Sequence, residues 1–156
     1  NEDCHLILRG GRHGTNYDRV SVASAIELLK KAGIRPSIMV DCSHGNSQKM
    51  PENQIGVLLE TIRLRTDADN PLLPLSGCMI ESYLQTGSQP ITADPEDLKY
   101  GLSITDPCLG WDMTASALAE AYKLLGEKHR SALETPVDAS GSPVPVPRHS
   151  DRAVKP

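Results

Sequence analysis

The stretch Ser37-Ile38-Met39-Val40-Asp41-Cys42-Ser43-His44-Gly45-Asn46-Ser47 decides how the chain is read. Four residues, mostly apolar and without alternation, run straight into a polar, glycine-containing turn. A short continuous apolar run is the mark of a strand covered on both faces, as in a parallel sheet. Two further runs have this form, His5-Leu6-Ile7-Leu8 before it and Leu75-Ser76-Gly77-Cys78-Met79-Ile80 after it.

Helical patterns lie between the runs. From Asp18 to Ala32, Val22, Ile26 and Leu29 fall on one face, with Gly33 placed to cap the end. Pro51 suits the first turn of a second helix, in which Ile55, Leu58, Leu59 and Ile62 keep helical spacing. A third helix is expected with Asp112 as N-cap and with Ala117, Leu118, Ala121 and Leu125 buried.

The order is βαβαβ-loop-α. Strand starts fall 32 residues apart from His5 to Ser37 and 38 apart from Ser37 to Leu75. A (β/α)8 barrel of ~250 residues averages ~31 per unit. A doubly wound sheet alternates in the same way, and periodicity does not separate the two. Three strands do not close a barrel. The chain opens at Asn1, one step before an apolar run, so we expect a piece of a longer protein. We divide it into a partial barrel over 1–134 and a tail over 135–156. The tail carries Pro143, Pro145, Pro147 and Pro156 and is expected to be disordered.

Composition narrows the function classes. The 156 residues are 38% hydrophobic and 23% charged, ordinary for a globular domain. Only 3% are aromatic and none is Phe, so the core must be built from Leu, Ile, Val, Ala and Met. A net charge of -4 argues against nucleic acid as partner. No run approaches the ~18 apolar residues of a membrane span. Cys4, Cys42, Cys78 and Cys108 form no C-x-x-C pair and no signal peptide is visible, so reduced, mostly buried thiols in a cytoplasmic protein are expected.

In parallel α/β folds chemistry gathers at the C-terminal ends of the strands. The first run ends in Arg9-Gly10-Gly11, the second in Asp41-Cys42-Ser43-His44, and the third in Glu81-Ser82-Tyr83. The loop that follows holds Ser103-Ile104-Thr105-Asp106-Pro107-Cys108-Leu109-Gly110-Trp111. An arginine beside glycines suits phosphate or carboxylate. His44, Glu81 and Asp106 are one nitrogen and two carboxylates from three segments, a set that suits Mn, Fe, Co or Zn. Singly, each has an ordinary alternative. Arg9 and Asp41 could be ion-pair partners, Glu81 a cap, and Asp106 a turn residue before Pro107.

These strings resemble the C-terminal motifs of the type I 3-deoxy-7-phosphoheptulonate (DAHP) synthases, in order, from Asn1 to about Leu125. The resemblance implies a TIM barrel with the three runs as its sixth, seventh and eighth strands. It implies condensation of phosphoenolpyruvate with erythrose 4-phosphate, the first step of the shikimate route to aromatic amino acids. Arg9 would hold the phosphate of phosphoenolpyruvate. His44, the residue assigned to catalysis, would be a ligand of a divalent metal with Glu81 and Asp106. A homo-oligomer is expected for the full-length protein. The metal-ligand cysteine and the remaining phosphate-binding cations of such enzymes have no counterpart here. Cys42 would share the face of His44 in a strand but lies too near it to stand for a ligand from across the barrel. Two other readings compete: a catalytically incomplete fragment or pseudoenzyme serving as a binding module, and a different barrel lyase with a similar metal rim. Alone, the segment is expected to fold poorly, since its strand edges are open.

Overall fold

The computed structural model describes residues 4–134. The expected tail over 135–156 lies outside the described residues. Three strands, β1 (Leu6–Leu8), β2 (Ile38–Asp41) and β3 (Leu75–Met79), form one parallel sheet in the order β1-β2-β3. Helices α1 (Arg19–Lys31) and α3 (Asn53–Arg65) connect them, with a one-turn helix α2 (His44–Ser47) directly after β2. A long loop leads from β3 to α4 (Trp111–Glu134).

The ends of α1 follow from local chemistry. The Asp18 carboxylate accepts from the amides of Val20 and Ser21, and Lys30 and Lys31 sit in the last turn. Gly33, at φ +69°, turns the chain out of the helix. Its amide donates to Lys30 O and that of Ile34 to Leu29 O, the paired bonds of a Schellman ending.

In register, Leu6 lies beside Ile38 and Leu8 beside Val40. On the other side Ile38 lies beside Leu75 and Val40 beside Cys78, with an irregularity between Ile38 and Met39. The core joins Leu8, Ile38, Val40 and Leu75 of the sheet to Val22 and Ile26 of α1 and Val57, Leu58 and Ile62 of α3. Burying each such side chain contributes about 1.5–3 kcal/mol.

Several expectations need correction. Burial on both faces holds for the central strand alone. In β1, Leu6 and Ile7, on opposite faces, stay 38% and 40% exposed, because β1 is an edge of the sheet and among the described residues pairs only with β2. The second helix starts at Asn53, so Pro51 stands before its first turn rather than in it. The third helix starts at Trp111, which puts Asp112 in the first turn and not at the cap. Gly110 sets that start. Its backbone passes so close to Thr86 that a Cβ would lie 2.6 Å from the hydroxyl, and its amide donates to that hydroxyl. Along α4, Ala117 and Ala121 are buried with Leu124 beside them, whereas Leu118 and Leu125 are 50% and 43% exposed. Two alanines at i and i+4 let α4 approach α3 closely, and the leucines one position further round face outward.

Candidate anion and metal centre

All three strands point their C-terminal ends the same way, and the polar turns gather at that rim. Arg9 follows β1, and its carbonyl accepts from the amide of Gly45, one residue after His44. Gly10 stands at φ +84°. A Cβ there would meet Gly45 Cα at 2.6 Å, so the two turns touch backbone to backbone. Asn46 stitches them further. Its buried amide nitrogen donates to Leu8 O and Asp41 O, and its oxygen accepts from the Asn16 amide. Asn16 in turn accepts from the Gly10 amide at 2.7 Å.

His44, Gln48 and Lys49 all have positive φ, at 50°, 56° and 62°. Three non-glycine residues in the left-handed region within six positions mark a turn held against its own preference. One consequence is that strand alternation ends before His44. Cys42 therefore does not share the His44 face, as expected of a strand. It turns into the core against Cys78, fully buried, while His44 turns to the rim. The shared thiol contact and burial push Cys42 well above the ordinary thiol range, and the same contact draws Cys78 down. Cys42 thus stays protonated and outside the rim chemistry.

The His44 ring sits among three carboxylates. Nδ1 lies 2.9 Å from Asp41 Oδ2, at hydrogen-bond distance though not aligned for a hydrogen bond. Nε2 lies 3.6 Å from Glu81 Oε1 and 3.5 Å from Asp106 Oδ2. One ligand atom from each of His44, Glu81 and Asp106 falls within 4.8 Å of the others. Donors about 2.1 Å from a common ion stand roughly 3–3.5 Å apart when adjacent, so the cluster fits one divalent cation with slight contraction. Without a cation, two carboxylates at this spacing repel.

Asp41 is buried and serves both sides of the rim. Its Oδ1 accepts from the Ser43 amide, and its Oδ2 lies 4.0 Å from Arg9 Nε as well as beside His44. The Ser43 hydroxyl donates to Glu81 Oε2 at 2.9 Å. Gln54, fully buried on α3, holds the Glu81 backbone by both polar groups. Cys108, whose thiol donates to Asp106 O, is raised by burial and by the nearby Glu81 and Asp106 carboxylates.

The structure thus brings His44, Glu81 and Asp106 into one cluster and links Arg9 to it through Asp41. Sequence reasoning named these four and treated Asp41 as an ion-pair candidate. It missed Ser43, Asn46 and Gln54. One signal was available: Gln54 precedes Leu58 by four and Ile62 by eight, a polar residue on an apolar helix face.

Fold and rim define a parallel α/β protein that collects a histidine and two carboxylates at the C-terminal ends of its strands. The chain belongs to the DAHP synthetase I family, whose model matches residues 1–119. It is 44% identical over 121 residues to the phospho-2-dehydro-3-deoxyheptonate aldolase of Alternaria alternata, covering 77% of this chain and 32% of that protein. Identity to the Tyr-sensitive phospho-2-dehydro-3-deoxyheptonate aldolase of Escherichia coli K12 is 40% over 123 residues, 79% of this chain and 33% of that one. Among solved structures, the phospho-2-dehydro-3-deoxyheptonate aldolase of Francisella tularensis SCHU S4 superposes with a TM-score of 0.71 at 38% identity, over 82% of this chain and 36% of that one. The chain therefore spans about a third of the length of these three proteins.

Proposed function

We propose that this chain is the C-terminal sector of a TIM-barrel DAHP synthase, and that its rim carries the divalent metal and part of the phosphoenolpyruvate site. The observation that carries the reading is the spacing of His44 Nε2, Glu81 Oε1 and Asp106 Oδ2 around one point, with a guanidinium on the same rim. Family membership supports the reaction, and the donor set suits Mn, Fe, Co or Zn.

In the proposed reaction C3 of phosphoenolpyruvate attacks the aldehyde of erythrose 4-phosphate. Positive charge grows at C2, water adds there, and phosphate leaves with C–O cleavage to give DAHP. A bound divalent cation supplies Lewis-acid polarisation of the aldehyde. Arg9 anchors the phosphate and fixes the face of the enol, lowering the entropic cost of the encounter. Asp41, beside both the Arg9 guanidinium and the His44 ring, keeps anion arm and metal arm in one orientation. Ser43 fixes one oxygen of Glu81 and leaves the other for the ion. Arg9 and Asp106 are more than half exposed in the chain taken alone, so water would weaken their electrostatics, and we expect the 156-residue chain by itself to be inactive.

The test is phosphate release from phosphoenolpyruvate and erythrose 4-phosphate by the full-length protein, with and without EDTA. Activity should vanish with chelator and return with Mn(II) or Zn(II). Activity indifferent to EDTA would sink the metal role of His44, Glu81 and Asp106.

A further inference from the structure

The β2–β3 ladder ends with the Cys42 amide donating to Met79 O. Glu81, two residues further on, has left the strand, yet its backbone is still held as if paired. The Gln54 side chain supplies the missing partner. Its Oε1 accepts from the Glu81 amide at 2.8 Å, and its Nε2 donates to the Glu81 carbonyl at 3.2 Å. That carbonyl also accepts from the Leu109 amide at 3.0 Å, three residues past Asp106. One buried side chain thus fixes the Glu81 backbone, and through Leu109 the root of the Asp106 loop.

Gln54 is 0% exposed and sits where α3 otherwise presents apolar residues to the sheet. A buried amide is costly unless its polar groups are paired. Both of its pairings are to a single residue, and that residue bears a carboxylate of the rim cluster. A side chain needed only for packing would serve as well with leucine or methionine.

We propose that Gln54 is a positioning residue that holds the Glu81 carboxylate at metal-binding distance from His44 and Asp106 by clamping the Glu81 backbone. This rests on the metal reading above. The clamp controls direction and the Ser43 hydroxyl controls rotation of the carboxylate. Without the clamp, Glu81 retains one tether at its carbonyl and one at its carboxylate, and the spacing to His44 Nε2 loosens. Support of this kind is worth roughly 10–100-fold in metal affinity or activity.

The experiment uses the full-length protein and Mn(II) alone as probe, with free Mn(II) read by electron paramagnetic resonance. Gln54→Met keeps length and removes both bonds. Gln54→Leu also removes both bonds, with a branched apolar side chain of similar volume. His44→Ala serves as the site control. Both Gln54 variants should weaken Mn(II) binding about 10–100-fold. At saturating Mn(II) the kcat should return to within about threefold of the parent, with the KM for phosphoenolpyruvate unchanged, as Arg9 is untouched. A purely structural role would lower Tm and leave Mn(II) affinity within twofold, and that result overturns the proposal. Should His44→Ala leave Mn(II) binding unchanged, the metal reading itself falls and the clamp with it. Loss of binding in His44→Ala but normal binding in both Gln54 variants defeats the clamp alone. Hydrogen exchange in the unmodified protein checks the idea without any variant. The Glu81 amide should be protected as strongly as that of Cys42 at the end of the ladder, and exchange at a free-loop rate would overturn it.

Discussion

The two halves of the rim are built in different ways. At the ends of β1 and β2 the residues are stitched. Gly10 and Gly45 touch, Asn46 and Asn16 bridge the turns, and Asp41 is buried beneath. At the end of β3 they are tethered. The chain from Ser82 to Gly110 returns through single bridges, Ser82 to Leu109, Gly87 to Cys108 and Ser88 to Ser103, and its Asp106 side chain stays 57% exposed. The stitched half supplies Arg9 and His44, Gln54 holds Glu81 at the foot of the other half, and the tethered loop supplies Asp106. His44 and the clamped Glu81 thus stand on buried supports, and Asp106 stands on an exposed loop.

The contrast can be broken most sharply at Gly10. A methyl there meets Gly45 backbone and takes on the strain of φ +84°, so Gly10→Ala should cost about 3–5 kcal/mol in the urea unfolding of the full-length protein and abolish activity. A tolerated alanine would mean the turns can part, and the stitched half would be no stiffer than the other. The next comparison sets Asn46 against Gln89. Asn46 makes three bonds to backbone while buried, and Gln89 makes three, to Lys99 O, Lys99 N and Leu102 O, while only half-buried. Asn46→Ala should destabilise by about 2–4 kcal/mol and Gln89→Ala by less than about 1 kcal/mol, because only the first leaves buried groups without water. Equal losses would erase the distinction. The smallest effect is expected at the start of α1, remote from both halves. Hydrogen bonds from the Ser21 hydroxyl and amide hold the Asp18 carboxyl below its ordinary value. Its stabilisation is therefore fully present above about pH 4 and fades as pH falls through the lowered folded value. Asp18→Ala should cost about 1 kcal/mol at pH 7 and progressively less below pH 4, read from thermal unfolding across pH.

Elements with strong one-dimensional signals were legible in the sequence. The runs around Leu6, Ile38 and Leu75 became the three strands, and the faces of Val22, Ile26, Leu58 and Ile62 became core. Boundaries shifted where a tertiary contact decided them, as Gly110 against Thr86 decided the start of α4. The face of α4 was read one position too wide because helical spacing alone does not say which neighbour a leucine meets. At the rim, Arg9, His44, Glu81 and Asp106 were legible as chemically loaded residues at strand ends. Their supports were not. Ser43 matters through the Glu81 carboxylate, and Asn46 and Gln54 through backbone groups of Leu8, Asp41 and Glu81, and no spacing rule connects these partners.

The contact between Gly10 and Gly45 also bears on how such a chain could change over generations. Gly10 has no room for even one carbon more and stands at positive φ, whereas a Cβ on Gly45 would lie 3.0 Å from Gly10 Cα, tight but within reach of a small shift; a first substitution at Gly10 cannot be rescued at Gly45, which is already glycine. A saturation library scored by growth should show Gly10 as an invariant letter that binds nothing, as intolerant as His44 itself, and Gly45 restricted to the smallest side chains. A survey guided only by side-chain chemistry would pass over both.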